Sequence, residues 1–147
     1  MDISFLDANV LFSAAYREGS GLCRLWELPD VQWITSEYAY QEAWRNLSEE
    51  KEPEAKLARL RELMRSVTIC GPAPPEWEGK WDEMFGAEIE LPEKDRPILM
   101  AAVAARATHL LTGDKTHFGP YFGRTVEGVL ILLPGDYLRG RTSPDRG

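Results

Sequence analysis

Ile3-Ser4-Phe5-Leu6-Asp7-Ala8-Asn9-Val10-Leu11 runs from a short apolar strand through an acid straight into a helix. A strand apolar on both faces belongs in a parallel sheet covered by helices. Ligands of such sheets bind just beyond the carboxyl ends of the strands, which is where Asp7 falls. Asp is also a favoured N-cap, so this stretch alone is equally consistent with simple capping. A second copy about a hundred residues later changes the weighing. His109-Leu110-Leu111-Thr112 reads as another buried strand, and Gly113-Asp114 breaks it.

Between the two copies, strand and helix signals alternate. A helix beginning near Ser20 carries Leu22, Cys23, Leu25 and Trp26 at helical spacing and stops at Pro29-Asp30. Val31 to Thr35 alternates as a strand. Ser36 is placed to cap a helix through Leu47 whose core positions are Ala39, Ala43 and Leu47. Glu42 lies beside that apolar face one turn in, whereas Glu37, Glu49 and Glu50 fit a solvated face. Pro53 to Arg65 is amphipathic, with Arg59, Arg61 and Arg65 on its wet side. Ser66 to Cys70 is extended and runs into the loop Gly71-Pro72-Ala73-Pro74-Pro75.

Trp77, Trp81 and Phe85 recur every four residues, a spacing that predicts core or a subunit interface rather than base stacking. Asp95 or Arg96 opens the clearest helix, with Pro97 in its first turn and an Ala-rich body suited to close packing. Val129 to Leu133 is the last strand, and Pro134 to Leu138 turns off it. The alternation predicts an α/β sandwich around a parallel sheet. Its domain covers residues 1–138, followed by a polar, disordered tail over 139–147.

Length and composition agree with one domain: 147 residues, 44% hydrophobic and 28% charged, suffice for a core. The longest apolar run, Ile98 to Ala105, is too short to span a membrane, and no secretion signal is visible. Cys23 and Cys70 lack metal-ligand spacing and read as buried, reduced thiols, which points to a cytoplasmic protein. A net charge of −7 argues against a module that only binds nucleic acid, which would be basic. It leaves room for a nuclease whose acids are neutralised by divalent cations.

Four acids therefore stand at structured places: Asp7 and Asp114 after strands, Glu42 within a helix, Asp95 at the start of one. If the first and last strands are neighbours, the four converge on one cleft. Carboxylates that close raise one another's pKa, and a cation makes the cluster tolerable. Oxygen ligands without His or Cys at metal spacing select Mg2+ or Mn2+ over zinc. Repulsion of this kind predicts that Asp7→Asn or Asp114→Asn raises the melting temperature in the absence of metal.

In this order and at these separations, the stretch Phe5 to Leu11, Glu42 in its helix, Lys94 to Ala102 and His109 to Lys115 resemble the PIN-domain ribonucleases. The resemblance spans residues 3 to 118. It implies a three-layer α/β/α sandwich with a central, mostly parallel sheet, and Asp7, Glu42, Asp95 and Asp114 as catalytic metal-binding acids. Asn9 and Thr112 are implied as polar partners that orient them. The implied activity is hydrolysis of RNA phosphodiesters with Mg2+ or Mn2+, by two-metal-type chemistry. An antitoxin partner, a homodimer and a role as a toxin are implied as well.

Lys94, Arg96, Lys115, Arg124 and Arg17 are the cations near these stretches and are candidates for the RNA backbone. Two departures from the family pattern stand out. Ala8 occupies a position where the family often has Thr or Ser. Where some members carry a further acid, this chain has Thr116-His117-Phe118, which leaves the second metal position open; His117 is read first as a surface or loop histidine, with filling that position through water as the alternative. Two rivals remain: a non-catalytic PIN-like interaction module, and an aspartyl-phosphate phosphatase with Asp7 as nucleophile. The second usually wants an Asp two residues on, where this chain has Asn9.

Overall fold

The computed structural model describes residues 1–142. Six strands form one sheet: β1 Asp2–Leu6, β2 Val31–Ser36, β3 Val67–Cys70, β4 His109–Leu111, β5 Thr125–Val126 and β6 Val129–Leu132. Their order across the sheet is β3-β2-β1-β4-β6-β5. Every pairing is parallel except that of β5 with β6, so the sheet is mostly parallel with an antiparallel edge.

The chain steps from β1 outward to β3 and then returns past β1 to β4. Right-handed crossovers made in opposite directions place their helices on opposite faces, which yields the α/β/α sandwich. Phe5 and Leu6 are consecutive, point to opposite faces and are both fully buried. Helices α1 (Ala8–Tyr16), α2 (Glu37–Ser48) and α3 (Pro53–Met64) pack on one another, and α5 (Arg96–Ala104) packs on β2 and β4. Ala101 and Ala102 of α5 are buried, and their small side chains permit a close approach.

The strand beside β1 on the far side from β2 is β4, which leads into Asp114, so the two strand-end acids become neighbours without the first and last strands being adjacent. Register then sets the site. Leu6 pairs with Leu111, so Asp7 comes level with Thr112. The Asp7 N–H extends the ladder by donating to the Leu111 carbonyl at 3.0 Å.

Several local expectations are corrected. Gly21–Glu27 is a 3-10 helix rather than an α-helix. The Trp77-Trp81-Phe85 series is not one helix. Trp81 and Phe85 lie buried in α4 (Trp81–Phe85), while Trp77 sits half-buried in the separate turn Pro75–Trp77. Glu78-Gly79-Lys80 divides them, with Gly79 at φ +75°.

Pro134 opens a helix, α6 (Pro134–Thr142), instead of a turn, so the boundary expected after Leu138 falls inside it. What ties it to the rest of the chain is a partly exposed polar network. Tyr137 donates to Asp2 Oδ2 at 2.6 Å, and Arg141 reaches the same oxygen at 2.9 Å and the Pro29 carbonyl at 2.8 Å. The remainder of the expected tail, 143–147, lies outside the described residues. Cys23 and Cys70 are free thiols and only partly buried. Among the described residues no helix is long and apolar enough to cross a membrane.

Candidate metal centre

Asp7 ends β1 and precedes α1, and its two carboxylate oxygens are used differently. Oδ1 accepts from the Ala8 N–H at 2.7 Å at the open end of α1. Oδ2 accepts from the Thr112 hydroxyl at 2.8 Å and from Asn9 Nδ2 at 3.3 Å. The side chain is nonetheless buried, with Asp7 5% exposed. Burial pushes its pKa from 3.8 up to about 6, with Glu42 and Asp95 adding repulsion against the hydrogen bonds from Thr112 and Ala8.

Thr112 and Asn9 join the two strand ends into one piece. The Thr112 hydroxyl donates to Asp7 and accepts from the Asp114 N–H at 3.1 Å and from Asn9 Nδ2 at 3.3 Å. Asn9 turns its other amide atom to accept the Gly113 N–H at 2.7 Å. Gly113 is small for this reason: a Cβ there would meet Asn9 Oδ1 at 3.3 Å.

Asp95 is the N-cap residue of α5 but makes no side-chain cap hydrogen bond. A residue type favoured for capping thus turns its carboxylate elsewhere. Its Oδ2 is buried and has no hydrogen-bond donor, although His117 Nδ1 lies 3.0 Å away. That ring nitrogen carries at most one hydrogen, and the hydrogen bond it forms is with Asp114 Oδ2 at 2.9 Å. Desolvation raises the Asp95 pKa, opposed by Lys94 and His117 and assisted by Asp114. Asp114 behaves the other way. Burial pushes its pKa up, but the His117 N–H and ring and the Thr116 N–H outweigh this and hold it below the usual carboxylate range.

Glu42 is half-buried on α2 and acts on Asp7 and on Tyr38 through its charge. Burial raises the Tyr38 pKa, and the charges of Glu42 and Asp95 add to the rise. The Tyr38 hydroxyl donates to the Lys94 carbonyl at 2.6 Å and ties the first turn of α2 to the loop that delivers Asp95. Tyr38 also borders a groove of about 480 Å³, lined mainly by apolar atoms from Cys70, the proline loop, Trp77, Pro97 and Met100 and by none of the four acids.

The fold thus brings Asp7 and Asp114 together at the carboxyl ends of the central strands, with Asp95 beside Asp114 and with Glu42 and Asp95 near enough to act on Asp7 through their charge. It also brings in His117, whose ring joins Asp95 and Asp114 with all three donor atoms within 4.8 Å of one another. Of the two readings open for His117, the plain loop histidine does not hold: the residue sits in a turn, but its ring faces the acids directly. Its signal was available in the chain: it stands three residues after an acid that ends a strand. Tyr38 carried no such signal, because its partner is a backbone carbonyl distant in sequence.

The cations divide. Lys94 is exposed, 3.9 Å from Asp95 Oδ1, and Lys115 is exposed in the loop beside Asp114. Arg96 is half-buried, bonded to the Leu91 carbonyl and stacked over Trp81. Arg124 lies over Tyr121. Arg17 follows the last residue of α1, about 14 Å along that helix from Asp7.

The donor set fits a hard divalent cation. Carboxylate oxygens dominate, one buried oxygen lacks any hydrogen-bond donor, and the most buried acid is held near the point of neutralising itself.

A family model described as the PIN domain matches residues 4–116. No curated protein matches the chain. Among solved structures the chain is similar to VapBC2 from Rickettsia felis bound to a DNA fragment from their promoter. The identity there is 16% and the TM-score 0.65, over 88% of this chain and 96% of that one. It is likewise similar to VapBC-1 from nontypeable Haemophilus influenzae, at 17% identity and TM-score 0.63 over 90% and 98% of the two chains. A third likeness is to VapC20 of Mycobacterium tuberculosis, a Sarcin-Ricin loop cleaving toxin, at 16% identity and TM-score 0.55 over 80% and 94%. At these identities the likeness is one of fold.

Proposed function

The chain belongs to the PIN-domain family, and on that premise we propose that it is a divalent-metal-dependent endoribonuclease that serves as the toxin of a toxin–antitoxin pair. The observation that carries the reading is the buried, donor-less Asp95 Oδ2 in a cluster with Asp114 and His117, close enough to Asp7 to repel its charge. Such an arrangement is costly unless a cation completes it.

Asp7, Asp95 and Asp114 would hold the ion, with Glu42 on the α2 side of the cleft. A divalent ion bound there supplies Lewis-acid polarisation of a phosphoryl oxygen and a water made nucleophilic near neutral pH. Glu42 would hold a second ion or orient that water. Thr112 and Asn9 hold the Asp7 carboxylate in one orientation, so little reorganisation is needed when charge arrives. The start of α1 at Asp7 and of α5 at Asp95 turns two positive helix ends toward the cleft, which favours a phosphate there. Lys94 and Lys115, exposed beside Asp95 and Asp114, would meet flanking phosphates.

The toxin assignment draws support from the proteins whose fold is shared, among them VapBC structures and a toxin that cleaves the Sarcin-Ricin loop. An antitoxin partner is proposed on the same ground.

Cleavage of a panel of single-stranded and hairpin RNAs tests the activity. Wild-type protein should cut with Mg2+ or Mn2+ and not in chelator, and Asp95→Asn should lose at least about a hundredfold in rate. Equal cleavage by wild type and Asp95→Asn would reject the reading.

A further inference from the structure

His117 is the one nitrogen donor in a cluster of carboxylates, and its ring is aimed with some care. The Asp114 Oδ1 atom accepts the N–H groups of Thr116 and His117 at 3.1 and 3.0 Å. That leaves Oδ2 to face the ring, 2.9 Å from Nδ1. Asp95 Oδ2 faces the same nitrogen at 3.0 Å and takes no hydrogen bond from any group. In an octahedral set with bonds of about 2.1 Å, neighbouring donor atoms stand about 3.0 Å apart. Nδ1 therefore already stands at the spacing of an adjacent ligand from each of the two oxygens, and all three atoms lie within 4.8 Å of one another. The His117 side chain is about one-third exposed, so an ion can reach it from water.

Resting on the reading of this cleft as a metal centre, we infer that His117 is itself a ligand. Through Nδ1 it completes an N,O,O set with Asp95 and Asp114, which biases the centre toward Mn2+ over Mg2+. The chemical reason is a difference of degree between two ions that both take carboxylates. Mg2+ demands oxygen and sheds its water reluctantly, whereas Mn2+ lies on the first-row transition series and gives up water for an imidazole nitrogen more readily. A histidine that only screened two acids by donating a hydrogen bond would produce no such bias, because its nitrogen would never touch the ion.

The full chain is titrated with MnCl2 and MgCl2 by calorimetry, and the Mn2+-loaded protein is studied by pulsed electron paramagnetic resonance. Wild type is expected to show a nitrogen coupling to Mn2+ that persists in His109→Gln and vanishes in His117→Ala. His117→Ala should weaken Mn2+ binding by about tenfold or more while changing Mg2+ binding less. His117→Asp should restore Mg2+ binding and so lower the Mn2+-to-Mg2+ preference. Circular dichroism on each variant reports folding, and the wild-type spectrum needs no variant at all.

Mn2+ bound by wild type without nitrogen coupling, and weakened by Asp95→Asn, would overturn the ligand role of His117 while leaving the metal centre standing. No Mn2+ binding by wild type, or binding indifferent to Asp95→Asn, would overturn the metal centre and the inference with it.

Discussion

Asp7 and Asp114 end neighbouring strands, yet their surroundings treat a negative charge in opposite ways. At Asp7 burial dominates, and the folded-state pKa stands at about 6 against 3.8 when the side chain is free. Keeping it ionised at pH 7 costs the metal-free fold about 3 kcal/mol. Because the folded value is the higher one, this acid favours folding fully below pH 3.8 and ceases to do so as pH rises through 6. Asp7→Asn should accordingly raise the melting temperature by several degrees at pH 7 in chelator. The gain should fade toward pH 4 and shrink or reverse with Mn2+, as thermal denaturation followed by circular dichroism would report.

Asp114 has a lowered pKa, sustained against burial by the His117 ring and by the Thr116 and His117 N–H groups. Its contribution is present above the ordinary value and lost only as pH falls through the lower folded one. Asp114→Asn should therefore lower the melting temperature in chelator, and an increase would show that repulsion outweighs these hydrogen bonds. Repulsion was the only term visible in the amino-acid order, and it treated both acids alike. The hydrogen bonds that separate them come from a turn whose geometry the order does not display.

The helices are held at their ends as much as along their faces. Arg59 of α3 donates from Nε to the Ala15 carbonyl and from Nη2 to the Tyr16 carbonyl, both at 2.9 Å, and so closes the last turn of α1. Periodicity assigned Arg59 to a wet face, since helical spacing says which side a residue occupies but not which neighbouring helix ends there. Arg59→Ala strands two carbonyls and should cost about 2 kcal/mol in urea denaturation. Arg59→Lys should recover only part of this, because one ammonium does not reproduce the two-pronged fork; full recovery would show that charge alone is at work.

The same distinction separates legible elements from missed ones. β1, β4 and α5 are continuous apolar stretches with sharp ends, and their burial forces one conformation. By contrast, β5 is two residues long and joins β6 through Glu127 and Gly128, both at positive φ. A tight hairpin turn of that kind is usually announced by Asn or Asp before Gly, and Glu127 conceals it. Helix α6 has a weak pattern of its own and is fixed by Arg141 and Tyr137 reaching Asp2 at the other end of the chain.

At the scale of the whole molecule, the chain sets a −7 protein with an acidic cleft against a polyanionic substrate. Long-range attraction cannot be what brings RNA to it. Two of the five cations singled out from the sequence are engaged by aromatic rings, and Arg17 lies at the far end of α1. That leaves Lys94 and Lys115 beside the acids. Each phosphate neutralised on a single strand contributes about −0.7 to the slope of log affinity against log salt, so two contacts give about −1.4.

Anisotropy of a labelled, cleavage-resistant phosphorothioate RNA at fixed Mn2+ should return that shallow slope for the wild-type chain. The doubly substituted Lys94→Ala, Lys115→Ala protein should be nearly flat, and binding should be lost in chelator. A slope of about −4 or steeper would require a broad basic surface and would place the RNA away from this cleft. The shallow slope with loss of binding in chelator instead makes the ion the principal positive charge that the substrate meets.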